Sequence, residues 1–410
     1  MRTPNGDDGG RKRYRLGTHR TVPPEETIGR LRPLLDAFGI TRVANLTGLD
    51  RTGVPVVMVC RPNARSSAVF HGKGIDIAAA KASGLMEAVE TWHAEHVQLP
   101  LRFGSAAEFA RTQRLVEIAG LPRTPAHGFH EHLPLLWVEG RDLMSAEPVW
   151  LPYEIVHADG TIAGPPSSGC FAASTNGLAS GNHFLEAVSH ALCEVIERDA
   201  TSLWHRLPPQ AQDARRLDLA TVRDETCRAL IERLASSQLE IGVWEITTDV
   251  GVPAFQCAAV DRTGEIRHVG HGAGCHPVSE VALLRALTEA VQVRTTYIVG
   301  SREDLRHDDY DHATLERRLR RAEALLRPVE RTRDFGTAGR FVFDDFEAEV
   351  SWLVERLRAA GLKEAVVVDL TRPEFGISVV RAVVPGLEGS DHHADYVPGE
   401  RARALAGQER

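Results

Sequence analysis

Hydrophobic and polar positions alternate along this chain in two periods. Residues 76–97, 183–206 and 278–299 carry apolar residues at helical spacing and predict three long helices. "LATVRDETCRALIERLASS", "DHATLERRLRRAEALL" and "DFEAEVSWLVERLRAAG" are more strongly two-faced and predict ordinary amphipathic helices. "TVPPEETIGRLRPLLDAFGI" predicts a helix start, with Thr21 as the cap and acids in the first turn. The β-branched runs "ITRVANLTG" and "VPVVMVCRP", split by "LDRTG", predict a hairpin. "LEIGVWEIT", "VPAFQCAAV" and "EIRHVGHGAG" predict three further strands, and "KEAVVVDLT" and "GISVVRAVVPG" two of the buried type. Residues 98–180 read as irregular, with short strands at "LPLLWVEG" and "EPVWLP". No long low-complexity linker interrupts the pattern. The expectation is an α/β (α+β) fold: one large domain over 21–398, a disordered tail over 1–20 and a C-terminal tail over 399–410.

Composition removes several function classes. Of 410 residues, 43% are hydrophobic and 25% charged, as in a globular protein. No apolar run reaches the length of about 18 that a membrane span needs, and the first residues lack the apolar core of a signal peptide. The net charge of −8 and the lone basic cluster Arg11-Lys12-Arg13 with Arg15 argue against a nucleic-acid partner. Six scattered cysteines without a CxxC pair give neither a zinc site nor a disulfide framework, so a cytoplasmic setting is expected. Cys193 sits in an apolar helical run and reads as packing. "DHHAD" (391–395) has metal-ligand residue types but reads as a solvated loop.

The chemistry lies in a repeat. "GKGIDIAAAKASGLMEAVETWHA", "NGLASGNHFLEAVSHALCEVIERDA" and "GAGCHPVSEVALLRALTEAVQVRTT" each run from a glycine-rich turn into a long helix bearing E-x-x-E or E-x-x-Q. The matched triples are Ser83/Glu87/Glu90, His190/Glu194/Glu197 and Arg285/Glu289/Gln292, each at i, i+4, i+7 and so on one side of its helix. In the second helix the acidic stripe extends back to Glu186, among Leu185, Val188, Leu192, Val195 and Ile196. Aligned carboxylates on a buried helix need a cation. Arg198 supplies one charge, and Mg2+ with a bound phosphate is the fuller answer. Glycine turns opening helices suit phosphate, and Lys73 adds a point charge. The bland alternative is an old duplication whose acids now serve only salt bridges.

At "SGLMEAVE", "TNGLASGNHFLEAVSHALCEVIERDA", "RALTEAVQVR" and "VVRAVVPGLEG" the sequence resembles the YcaO family, over about residues 40–390. The resemblance implies a YcaO-type fold with the three repeated units around an ATP site, ATP and Mg2+ as cofactors, and activation of a peptide backbone amide. It assigns Ser83, Glu87 and Glu90 to a first motif and Asn182, Glu186, Glu194, Glu197 and Arg198 to a second. It implies Glu87, Glu90, Glu186, Glu194 and Glu197 as Mg2+ ligands, and Asn182 and Arg198 as nucleotide contacts. Glu194, Glu197 and Arg198 become the catalytic candidates, and Gln292 and Arg294 further cofactor contacts. Lys73 and Arg285 join the cofactor set on charge and position alone.

Azoline-forming members commonly end in a PxPxP-type tail. This chain ends "DYVPGERARALAGQER", with Pro398 and no repeat. "YRLGTHRTVPPEET" and "ITRVANLTGLDRTGVPVV" resemble members that work with a TfuA protein, which are associated with thioamide formation in ribosomally made peptides. The expectation is therefore thioamidation of a peptide or protein substrate with a TfuA-like sulfur-delivery partner. Azoline cyclodehydration is the alternative within the family. A non-catalytic ATP-binding accessory factor and a metal-dependent phosphohydrolase are the alternatives outside that chemistry. A homodimer is implied by resemblance only.

Overall fold

The structure is a computed structural model that describes residues 10–125, 128–161, 169–264, 268–389 and 396–407. In chain order its regular elements are α1 (Pro24–Leu31), β1 (Arg42–Asn45), β2 (Val56–Cys60), β3 (Val69–Lys73), α2 (Ile77–Glu95), β4 (Leu101–Ser105), α3 (Ala106–Phe109), β5 (Pro134–Asp142), β6 (Pro148–Pro152), β7 (Leu178–Gly181), α4 (Phe184–Trp204), α5 (Pro209–Asp213), β8 (Leu217–Asp218), α6 (Glu225–Ser236), β9 (Leu239–Glu245), β10 (Ala254–Asp261), β11 (Gly270–Cys275), α7 (Ser279–Val299), α8 (His312–Leu326), β12 (Arg333–Asp334), α9 (Phe346–Ala359), β13 (Val366–Asp369), β14 (Ser378–Val383) and α10 (Glu400–Gly407). Among the described residues, no helix is long and apolar enough to cross a membrane.

In place of one domain, the chain divides into two compact units, each assembled from separated stretches. The boundary falls inside α2, after Ala88. One unit comprises Arg13–Ala88 and Leu207–Val342. It holds two antiparallel three-stranded sheets, ordered β1-β2-β3 and β11-β10-β9, and the short parallel pair β8/β12. Its core joins Val56 and Met58 to Leu230 and Leu234 of α6, Val243 and Phe255 of the second sheet, and Leu283, Leu287 and Val291 of α7. α8 packs against β9 and β10.

The other unit comprises Met1–Lys12, Val89–Arg206 and Phe343–Arg410. Its six-stranded sheet runs β4-β5-β13-β14-β7, with β6 added beside β5. α4 packs on β7 and β14, and α9 and α10 pack on α4. Two segments expected as tails are tied down here. Lys12 is buried and ion-paired to Glu349 of α9, which also accepts a hydrogen bond from Ser189 Oγ at 2.6 Å. A buried cation with a buried carboxylate partner cannot be a solvated tail, so the ordered chain starts well before residue 21. At the other end, Arg401 of α10 grips Asp199 of α4 at 2.9 and 3.0 Å.

The strand and helix predictions find their places, with four differences. α1 starts with Pro23 at its cap position and no side-chain cap, so Thr21 does not cap it. β4 was invisible: "LRFGS" is an edge strand, mostly exposed, without the alternation that marks a half-buried strand. β11 spans only Gly270–Cys275 of the predicted "EIRHVGHGAG", and residues 265–267 lie outside the described residues, as does "DHHAD".

The fourth difference concerns the repeated glycines, which sit in strands rather than in turns. Each long helix follows directly on a glycine-bearing strand and lies flush against it. A Cβ on Gly72 of β3 would stand 2.1 Å from the Ala80 carbonyl oxygen and 2.2 Å from the Gly84 nitrogen of α2. On Gly181 of β7 it would stand 2.6 Å from the Ala187 nitrogen of α4. On Gly272 and Gly274 of β11 it would stand 2.2 and 2.0 Å from the Ala286 and Ala282 carbonyl oxygens of α7. Only a residue without a side chain lets helix backbone and strand backbone touch. Gly274→Ala should therefore lower stability by about 2–3 kcal/mol in urea titrations, as overpacking does. Gly29→Ala, in α1 with open space around it, should raise stability by up to ~1 kcal/mol. Equal, small effects at the two positions would contradict the flush packing.

Candidate functional site

The three flush helices share a second feature. On each, a small residue pressed against the strand is followed seven residues later by a glutamate: Ala80/Glu87 on α2, Ala187/Glu194 on α4, Ala282/Glu289 on α7. Seven residues is about two turns, so the acid lies on the strand-facing side of its helix. The predicted repeat is thus a packing rule and an acid-placing rule at once.

In the unit that holds β3 and α7, Lys73 of β3 meets Glu289 of α7 at 2.5 Å. Glu87 of α2 is only partly exposed. Burial lifts its carboxyl to about 7, with Lys73 and Arg302 pulling it down and Glu289 pushing it up. Arg302 is held in place by a two-point pair with Asp304 at 2.8 and 2.5 Å. Ser83 lies one turn before Glu87 on α2, beside Gly84. Gln292 Nε2 donates to the His71 carbonyl at 2.6 Å, and Arg285 Nη1 donates to the Cys275 carbonyl at 3.0 Å. Both contacts run from α7 to strand backbone.

Arg294, predicted to meet the cofactor, is held by other residues at two of its three nitrogens. Its guanidinium is buried, with Nε on Asp50 at 3.0 Å and Nη1 on the His268 carbonyl at 2.9 Å. Its position on α7 faces the core beside Gly270, and Nη2 has no hydrogen-bond partner among the described residues.

In the other unit, β7 and α4 gather the second set. The backbone N–H and the hydroxyl of Ser180 both donate to Glu90 Oε2, each at 2.9 Å. The Asn182 N–H donates to Glu186 Oε1 at 3.4 Å. Glu186 sits in the first turn of α4, where an acid is favoured by the helix dipole. Arg198 is ion-paired to Glu194 at 3.9 Å and to Glu197 at 3.8 Å. Glu186 and Glu197 are buried and Glu194 partly so, as the apolar flanks of α4 predicted. Behind them, burial raises Asp199 to about 6 against the pull of Arg401.

Three residues in these surroundings escaped the sequence reading. Arg302 lies in a loop without any pattern. His71 is buried, its two ring nitrogens have no hydrogen-bond partner among the described residues, and burial lowers it to about 4, so it is neutral. Arg381 of β14 is buried, lowered to about 10 by burial with Glu194 opposing the shift. Its only sequence signal is a lone arginine between valine pairs in "VVRAVV".

The donor set of α4 fits Mg2+. Glu186, Glu194 and Glu197 offer carboxylate oxygens on one side of a buried helix, the ligand type that hard divalent cations take, although as they stand these oxygens do not converge within 4.8 Å of one another. Glu87 fits as well, since a carboxyl that burial holds near 7 gains from an added cation.

Comparison with known proteins agrees with this chemistry. The model of the family described as "YcaO cyclodehydratase, ATP- and Mg2+-binding" matches residues 71–388. A protein of Rhizobium leguminosarum bv. trifolii, described as lying in the tfuA 3′ region, is 36% identical over 384 residues, covering 90% of this chain and 88% of its own. A protein of Methanothermobacter thermautotrophicus is 33% identical over 378 residues, 90% of this chain and 94% of its own. The structure of YcaO from Methanopyrus kandleri bound with AMPPCP and Mg2+ superposes with a TM-score of 0.73 at 25% identity, over 92% of this chain and 95% of that one. A heterocyclase in complex with substrate and cofactor shares the fold, with a TM-score of 0.78 at 23% identity; this chain spans 54% of its length.

A pH test follows from Glu87. Its pKa of about 7 in the folded protein lies above the ordinary 4.5. The ionised form therefore opposes folding, a cost absent below the unfolded value and growing as pH rises through the folded one. Glu87→Gln should raise the melting temperature at pH 8 by about 2–4 °C and leave it nearly unchanged at pH 4.5. The same gain at both pH values would show that Glu87 is not held near neutrality.

Proposed function

The chain belongs to the YcaO family, whose members bind ATP and Mg2+, and on that ground we propose that it uses ATP to activate a backbone amide of a peptide or protein, replacing its oxygen by sulfur. The observation that carries this reading is the carboxylate stripe of α4, with Arg198 beside Glu194 and Glu197. The tfuA neighbourhood of the Rhizobium relative supports thioamidation and a TfuA-like sulfur-delivery partner over azoline formation.

An amide carbonyl is a weak electrophile and its oxygen a poor leaving group. A sulfide nucleophile adds to the carbonyl carbon, and the electron pair of the C=O moves to oxygen. That oxygen takes the γ-phosphoryl of ATP, releasing ADP. The C–O bond then breaks with phosphate leaving, a proton is lost, and a thioamide remains. Bound Mg2+ would neutralise the triphosphate and the charge that develops on transfer. Glu90, Glu186, Glu194 and Glu197 would hold it. Arg198 would face phosphate, and Asn182 would position the nucleotide. No enzyme nucleophile is needed, and Cys193 stays a buried packing thiol.

The test is ATP turnover with a candidate peptide and sulfide, with the peptide product weighed by mass spectrometry. Sulfur-for-oxygen exchange supports the proposal. Loss of water assigns the azoline chemistry, nucleotide binding without peptide-stimulated turnover assigns an accessory role, and peptide-independent turnover assigns a phosphohydrolase. Glu194→Gln and Glu197→Gln should each cut turnover at least ~100-fold, by analogy with loss of a metal or electrostatic ligand, without changing the fold. Near-normal activity in both variants would sink the assignment.

A further inference from the structure

Arg381 is an electrostatic anomaly inside the unit that carries α4. It sits on β14, between the register pairs Arg381↔Val368 toward β13 and Arg381↔Leu178 toward β7, in the middle of a sheet. Its neighbours Val379, Val380 and Ala382 are buried core residues, and only 2% of Arg381 is exposed. A guanidinium cannot shed its charge at this depth and brings five N–H donors with it. One donor is used: Nη2 reaches the Ser174 carbonyl at 2.5 Å. Nε and Nη1 are buried and have no hydrogen-bond partner among the described residues.

A neutral carbonyl does not offset a buried cation, and a buried charge is ordinarily matched by an anion with good geometry. The neighbouring anion that acts on Arg381 is Glu194. That carboxylate already stands 3.9 Å from Arg198 on its own helix, and the proposed function makes it a Mg2+ ligand. Arg381 is thus a cation whose two unpartnered nitrogens call for an anion with several acceptor oxygens, beside the residue assigned to the metal. Arg294 also keeps one buried nitrogen, Nη2, without a hydrogen bond, but it has a carboxylate on Nε besides the carbonyl on Nη1, whereas Arg381 has no carboxylate within hydrogen-bond reach among the described residues.

We propose that Arg381 is a catalytic residue that binds the terminal phosphate of the nucleotide through Nε and Nη1, next to Glu194. This rests on the ATP-using reading above and extends it to a residue outside the three helix motifs. The anion expected at Arg381 is the phosphoryl group that ATP carries and ADP lacks. Arg381 would then neutralise charge on the group in transfer, from the strand side, while Arg198 does so from the helix.

The test is calorimetric titration of the full chain with AMPPCP and, separately, ADP, each with Mg2+. Arg381→Gln should weaken AMPPCP at least ~10-fold while leaving ADP within about two-fold, as loss of a charge-assisted contact to one phosphate does. Arg381→Lys, which keeps the charge and loses the planar array of donors, should fall between. If Arg381→Gln does not fold, the AMPPCP-to-ADP ratio of Arg381→Lys decides: a lowered ratio supports the role, and an unchanged ratio overturns it. Equal weakening of both nucleotides in folded variants would make Arg381 a structural cation and overturn the proposal. Wild-type protein that binds neither nucleotide would overturn the ATP-using reading itself, and the role of Arg381 with it.

Discussion

Backbone contact between a glycine-bearing strand and the helix that follows it is the constraint on which the rest depends. Gly72, Gly181, Gly272 and Gly274 leave no room for a side chain, so α2, α4 and α7 are fixed in both distance and rotation. Once rotation is fixed, a residue two turns further along points to the same side. Glu87, Glu194 and Glu289 are placed in this way. The carboxylates are therefore held by backbone packing, which is stiffer than any chain of side-chain contacts, and rigid placement is what positioning chemistry requires.

The charges near these acids divide into two kinds. Some pairs are complete: Lys73 with Glu289, Arg294 with Asp50, Lys12 with Glu349, Arg401 with Asp199. They tie elements together within a unit and leave little capacity for a ligand. Others are unbalanced. Glu87 is held near neutrality by burial, and Arg381 has donors to spare. Imbalance of this type is costly in the resting protein and is lowered by a ligand bearing both a divalent cation and several anionic oxygens. Mg2+ with a nucleoside triphosphate meets that description.

Much of this was legible in the sequence, because helical periodicity and acid spacing are local properties. The three long helices, the β1–β2 hairpin and the acid triples all follow from residues within two or three turns of one another. What remained hidden depends on contacts between distant segments. A glycine run before a helix reads equally well as a phosphate-binding turn or as a strand under the helix, and only the approach of the Ala282 and Ala286 carbonyls to β11 decides. Arg294 and Arg381 illustrate the same limit in opposite directions. The one with a motif position spends two of its three nitrogens on Asp50 and the His268 carbonyl. The one set in a plain valine strand retains unmet donors near Glu194. Lys12 lies in a polar, glycine-rich stretch, and its burial depends on Glu349, more than 300 residues away in the chain.

The central claim is that the acids of α4, with Arg198 and Arg381, form a binding site for a nucleotide and its metal rather than a set of structural ion pairs. Calorimetric titration of the wild-type chain with ATP, in Mg2+ and again after its removal by chelation, tests this most directly. Saturable binding that requires Mg2+ is the predicted result. Folded protein that binds no ATP, or that binds it equally well without the metal, would contradict the account.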